Sequence, residues 1–213
     1  MLYPDRLHAK ILASSPVCVG LDPVVEKLPE GLPRNTDGVK DFCFGIIDAV
    51  KATACSVKPQ LAYFERLGWE GMKVFWEVCE YAKMQHLIVI ADAKRGDIGP
   101  TCEAYADAYL GYGLPVDAIT VSPYLGSDGI QPFIDRAMKY EKGCYVLVRT
   151  SNPSAMELQD FPVGDEAVHE HLAQLVESWS LVQLGTTPSL SCVGAVVGAT
   201  YPEEMKYLRT LMP

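Results

Sequence analysis

The 213-residue sequence is poor in positive charge: 18 Lys and Arg stand against 27 Asp and Glu, a formal charge of −9. The basic residues are scattered, which leaves no electrostatic footprint for a nucleic acid. An anionic ligand must therefore be gripped locally, by a few placed cations and backbone N–H groups. No run approaches the ~18 consecutive apolar residues needed to cross a bilayer, and the opening Met1-Leu2-Tyr3-Pro4-Asp5-Arg6 has no apolar signal core. A soluble cytoplasmic protein without a membrane partner is expected.

There is no C-x-x-C pair either. The seven cysteines (18, 43, 55, 79, 102, 144 and 192) are odd in number and read as small buried hydrophobes of a reducing compartment, not as a disulfide framework. Histidine is scarce. His169 and His171, two apart on a predicted helix, face different sides, and His8 and His86 have no Cys or acidic partner at a ligand spacing, so no metal is expected. Neither low-complexity sequence nor a linker interrupts the chain, and one domain over 1–213 is expected.

Against these absences stand short β-branched runs at Val17–Leu21, Cys55–Lys58, Leu87–Asp92, Ala118–Val121, Cys144–Val148 and Val193–Gly198. Each is followed by a stretch of helical periodicity: Val39–Thr53, Trp69–Met84, Thr101–Leu110, Gly129–Tyr140, Glu166–Leu184 and Glu203–Leu211. In Trp69–Met84 the residues Met72, Phe75, Trp76, Cys79 and Ala82 form one apolar stripe. Strands apolar on both faces imply an α/β protein with a parallel sheet covered by helices. A doubly wound sheet and a (β/α) barrel both satisfy this pattern.

The third strand ends in Asp92-Ala93-Lys94-Arg95-Gly96-Asp97-Ile98-Gly99-Pro100-Thr101. Alternation along an extended strand puts Asp92 and Lys94 on one face, with Asp97 just beyond. The bland alternatives are a structural ion pair for Asp92 and Lys94 and a helix N-cap for Asp97 ahead of Pro100. Three charges within six positions at the end of an apolar strand are costly to bury unless a site uses them.

The spacing D-x-K-x-x-D-I-x-x-T, carried by Asp92, Lys94, Asp97, Ile98 and Thr101, resembles the signature of the orotidine 5′-phosphate decarboxylases. Gly20-Leu21-Asp22-Pro23, Val57-Lys58-Pro59-Gln60 with Phe64-Glu65, Ser122-Pro123-Tyr124-Leu125-Gly126, Arg149-Thr150-Ser151-Asn152-Pro153 and Val197-Gly198-Ala199-Thr200-Tyr201-Pro202 are similar to segments of the branch called type 2. All of them fall at strand C-termini, where barrel active sites are built.

The resemblance implies a TIM (β/α)8 barrel, of which about six βα units are visible. It also implies cofactor-free decarboxylation of orotidine 5′-monophosphate to uridine 5′-monophosphate in pyrimidine biosynthesis. Lys94 would stabilise the charge on C6 and protonate it; Asp92 would face the substrate carboxylate and hold Lys94; Lys58 would complete the charge network. Asp22 and Lys58 would bind ribose hydroxyls, and Ser151 the pyrimidine edge. Asp97, Ile98 and Thr101 would cross the interface of a homodimer.

Two rivals remain: a magnesium-dependent sugar-phosphate decarboxylase or aldolase of the same suprafamily, and a non-catalytic barrel module. The chain as given is expected to lack strands seven and eight. With them would go the Gly-rich, Gln-containing loop and the Arg that the resemblance assigns to the substrate phosphate. An open six-strand sheet would leave two apolar edges.

Overall fold

Each predicted strand is present, and helix fills the interval that follows it. The computed structural model describes residues 1–181, 185–186 and 190–213. Its elements are α1 (Tyr3–Ala13), β1 (Cys18–Leu21), α2 (Thr36–Val50), β2 (Ser56–Pro59), α3 (Leu61–Glu65), α4 (Gly68–Met84), β3 (Ile88–Arg95), α5 (Gly99–Leu110), β4 (Ala118–Val121), α6 (Ser127–Tyr140), β5 (Gly143–Arg149), α7 (Met156–Gln159), β6 (Pro162–Val163), β7 (Glu166–Ala167), α8 (Val168–Ser180), β8 (Val193–Val197) and α9 (Pro202–Leu211).

The main sheet has the order β1-β2-β3-β4-β5-β8, while β6 and β7 form a separate antiparallel hairpin. The pairings of β1 with β2, β2 with β3 and β5 with β8 are parallel. A strand order that follows the sequence without reversal has no switch point, which is the arrangement of (β/α)8 barrels and not of doubly wound sheets. The alternative left open by periodicity is thereby settled for the barrel class.

The chain divides into two compact units. One comprises Arg6–Ala93 and Tyr112–Ile119, the other Met1–Asp5, Lys94–Gly111 and Thr120–Pro213. In the first, α2 is opened by Asn35, whose side chain accepts from the Gly38 N–H, and it buries Val39, Cys43 and Ile47. Across from them α4 buries Gly71, Val74, Phe75, Val78, Cys79 and Ala82. The stripe is thus rotated from the expected one: Met72 and Trp76 are only half-buried, and Val74 and Val78 take the centre. Phe75 instead meets Phe64 of α3 edge to face, with ring centroids 5.5 Å apart, so the short helix absent from the periodicity reading decides which face turns inward.

In the other unit, Tyr3 is 2 % exposed and meets Tyr145 of β5 edge to face, the two hydroxyls 2.8 Å apart. Next to this pair Gly194 of β8 is obligatory, because a Cβ there would lie 2.7 Å from the Tyr145 ring. Helix α8 buries Ala173, Val176 and Trp179. The predicted helix Glu166–Leu184 is shorter than expected: Glu166 and Ala167 pair in the hairpin, and residues 182–184 lie outside the described residues. His169 is buried and His171 exposed, as their spacing required.

Six of the seven cysteines are buried; Cys18 is exposed. Its strand is an edge. In β1, Cys18 and Gly20 are exposed, and β8, at the other end of the strand order, is half-buried along most of its length, whereas β4 is buried throughout. An edge strand has one neighbour and cannot be covered as a central one is. No helix among the described residues is long and apolar enough to cross a membrane.

Candidate active site

In the unit of Arg6–Ala93 and Tyr112–Ile119 the site residues are built on neighbouring strand ends. Lys58 in β2 places its Nζ 2.5 Å from Asp92 Oδ2 in β3, and Gln60 donates from Nε2 to the same oxygen at 3.1 Å. Register explains the convergence: Gln60 forms a parallel bridge with Asp92, and alternation brings Lys58, two residues earlier, to the same face. Asp92 is 5 % exposed, so its charge is tolerable only with such partners.

Lys58 keeps about a third of its side chain in solvent, which leaves it able to meet a ligand. Asp22 is exposed immediately after β1. On the same strand Cys18 is exposed as a residue, yet desolvation around its sulfur pushes the thiol up, a shift only partly countered by the Ser56 hydroxyl and by the positive charge of Lys58.

The other unit begins at Lys94, where β3 leaves the extended region. Lys94 has φ +48°, a left-handed conformation that a side chain with a Cβ adopts at a cost of roughly 1–3 kcal/mol and that clusters at functional sites. Its N–H donates to Thr120 Oγ1 at 3.0 Å, which fixes the bend. Lys94 is exposed, and Asp92 is buried.

Asp97 does not cap α5. The N-cap is Ile98, without a side-chain cap, and Asp97 Oδ1 accepts from the adjacent Ile98 N–H at 2.8 Å. Ile98 is 60 % exposed, and Thr101 is exposed in the first turn of α5. In the same unit Ser151 is exposed just after β5.

Four residues that shape these groups carry no role in the sequence reading. Thr120 and Gln159 are uncharged and stand alone in their segments, and Gln60 is an uncharged neighbour of Lys58. Arg149 is fully buried, and its signal was available: an arginine closing the apolar run Val146-Leu147-Val148 must be paired where it is buried. Burial pulls its guanidinium down, and the carboxylates of Glu204 and Asp160 more than offset this, so its pKa is raised.

Six βα units with ionisable side chains gathered at strand C-termini define an enzyme of the (β/α)8-barrel class. The comparisons give the family. Residues 15–212 match the model of the orotidine 5′-phosphate decarboxylase / HUMPS family, and the chain belongs to that family. It is 44 % identical over 229 residues to the orotidine 5′-phosphate decarboxylase of Rhodopirellula baltica, covering 100 % of this chain and 76 % of that protein. To the protein of the same name from Thermomicrobium roseum it is 39 % identical, covering 100 % of this chain and 73 % of the relative. The solved structure of Leishmania donovani OMP decarboxylase superposes with a TM-score of 0.84 at 35 % identity, over 100 % of this chain and 77 % of that one.

Proposed function

We propose that this chain decarboxylates orotidine 5′-monophosphate to uridine 5′-monophosphate, a step of de novo pyrimidine biosynthesis, in the cytoplasm. The observation that carries the reading is the run Asp92, Lys94, Asp97, Ile98 and Thr101, in a chain 44 % identical to a relative of that name. The seven free cysteines favour a reducing compartment. Both compact units belong to one catalytic domain, because the family model runs unbroken across them.

In the reaction the C6–carboxylate bond breaks, carbon dioxide leaves, and the electron pair stays on C6. Lys94 is the acid: its ammonium lowers the energy of that charge and then gives its proton to C6, after which water restores the proton. No electrons are transferred, so the balance calls for no redox cofactor. Asp92, held by Lys58 and Gln60, is the fixed negative charge that faces the substrate carboxylate. Lys58 and Asp22 take the ribose hydroxyls, and Ser151 takes a pyrimidine carbonyl. Asp97, Ile98 and Thr101 act across a homodimer; the 60 % exposure of Ile98 supports this, since an apolar side chain there gains from a partner surface.

The test follows the absorbance of orotidine 5′-monophosphate with EDTA present, for the wild type and Lys94→Ala. Metal-independent turnover that falls by about 10⁴-fold or more in the variant is expected. No turnover on this substrate, with activity on a sugar phosphate in magnesium, would overturn the reading.

A further inference from the structure

Arg149 ends β5 and is 1 % exposed, so it cannot itself touch a ligand. Its guanidinium joins three segments. Nε donates to Glu204 Oε2 at 2.7 Å, from the first turn of α9. Nη1 lies 2.7 Å from Asp160 Oδ1, and Nη2 donates to Asp160 Oδ2 at 3.2 Å, at the end of α7. Tyr201 covers the plane, with its ring centroid 4.3 Å from Cζ.

What this fork encloses is the loop of Thr150 and Ser151. The Thr150 N–H donates to Gln159 Oε1 at 2.9 Å, and Gln159 Nε2 donates to Thr150 Oγ1 at 2.7 Å. Gln159 is the neighbour of Asp160, so the segment that the guanidinium grips is the one that holds Thr150. From the opposite side the Gly198 N–H donates to the Arg149 carbonyl at 2.8 Å. A Cβ on Gly198 would stand 3.1 Å from the Ser151 N and 3.2 Å from its Cβ. The backbone of Ser151 is thus set between two loops, both anchored on one buried arginine.

We propose that Arg149 is the positioning residue for Ser151: by pinning Asp160 and Glu204 together it fixes the serine at the distance a pyrimidine carbonyl requires. This rests on the activity proposed above. A rigid bidentate fork suits the task, and lysine does not reproduce it. Displacement of a binding group by about 1 Å is enough to cost up to about 100-fold.

The experiment measures kcat/KM on orotidine 5′-monophosphate in EDTA, together with thermal midpoints, for wild type, Arg149→Lys, Ser151→Ala and the double variant. Each single change should lower kcat/KM about 10- to 100-fold, chiefly through KM, and the double variant should fall no further than the worse single within about twofold. The thermal midpoint should drop with Arg149→Lys in both backgrounds, which separates stability from positioning. Equal kinetic factors in both backgrounds overturn the proposal, as does a Ser151→Ala enzyme with wild-type kinetics.

Asp160→Asn, which keeps the arginine and weakens one arm, enters the same cycle and gives the decision if Arg149→Lys fails to fold. If the wild type shows no turnover, the activity reading falls, and the same cycle is run on equilibrium binding of uridine 5′-monophosphate. Coupled losses there support the positioning role, whereas additive losses or no binding overturn it.

Discussion

Asp117 and Asp92 are both buried carboxylates of the unit Arg6–Ala93 and Tyr112–Ile119, 2 % and 5 % exposed, yet they stand at opposite ends of their strands. Asp117 immediately precedes β4. Its Oδ1 lies 2.7 Å from both Arg6 Nη1 and Lys83 Nζ, and its Oδ2 accepts from the Val89 N–H at 2.9 Å. Those partners come from α1, α4 and β3, so one carboxylate ties three elements to the start of the sheet. Asp92 lies towards the end of β3, where Lys58 and Gln60 of the adjacent strand end donate to it. The same group is a structural node at the strand start and, at the strand end, a buried charge beside the part-exposed Lys58, the division of labour expected of a barrel.

The sharpest way to break this comparison is to neutralise each carboxylate without changing its shape. On the proposed mechanism Asp92→Asn should lower kcat/KM on orotidine 5′-monophosphate by about 10³-fold or more, because the fixed negative charge facing the substrate carboxylate is lost. Its unfolding free energy should shift less than that of Asp117→Asn, since Lys58, a third exposed, can still be solvated once the carboxylate is gone. Asp117→Asn should do the reverse: a loss of about 3 kcal/mol in denaturant unfolding, from two cations and a backbone donor left with a weaker partner. At temperatures where that variant is folded, kcat/KM should stay within about twofold of wild type. A stability loss from Asp92→Asn as large as that from Asp117→Asn would erase the distinction.

The two carboxylates also differ in how far the sequence revealed them. Asp92 stands in a cluster with Lys94 and Asp97, so local spacing alone marked it. Asp117 is an isolated acid in Pro115-Val116-Asp117-Ala118, and its cations lie 111 and 34 residues away, a distance at which no periodicity carries information. The six strands were legible because their apolar runs are local. Helix α3 and the β6–β7 hairpin were not, being too short for a period to emerge. The positive φ at Lys94 was hidden for another reason: nothing in the local sequence marks it, and the Thr120 hydroxyl that accepts from the Lys94 N–H comes from another strand.

A third ion pair sharpens the comparison from the solvent side. Asp107 of α5 accepts from Arg136 Nη2 of α6 at 3.1 Å with about half of its side chain exposed. The hydrogen bond from Arg136, and then its charge, hold the Asp107 carboxyl below the usual carboxylate range. A depressed folded-state pKa contributes stability that is fully present above the unfolded value of about 3.9 and is lost as pH falls through the lower folded value. The stability difference between wild type and Asp107→Asn should therefore be constant from pH 7 to about pH 5 and close below about pH 4. Water limits its size to less than about 1 kcal/mol, several-fold below the Asp117 effect. Urea titrations of both proteins across that range check the sign. A difference that widened on acidification would mean that the carboxylate is held in its neutral form, and the ordering of the three carboxylates by burial and pairing would fail.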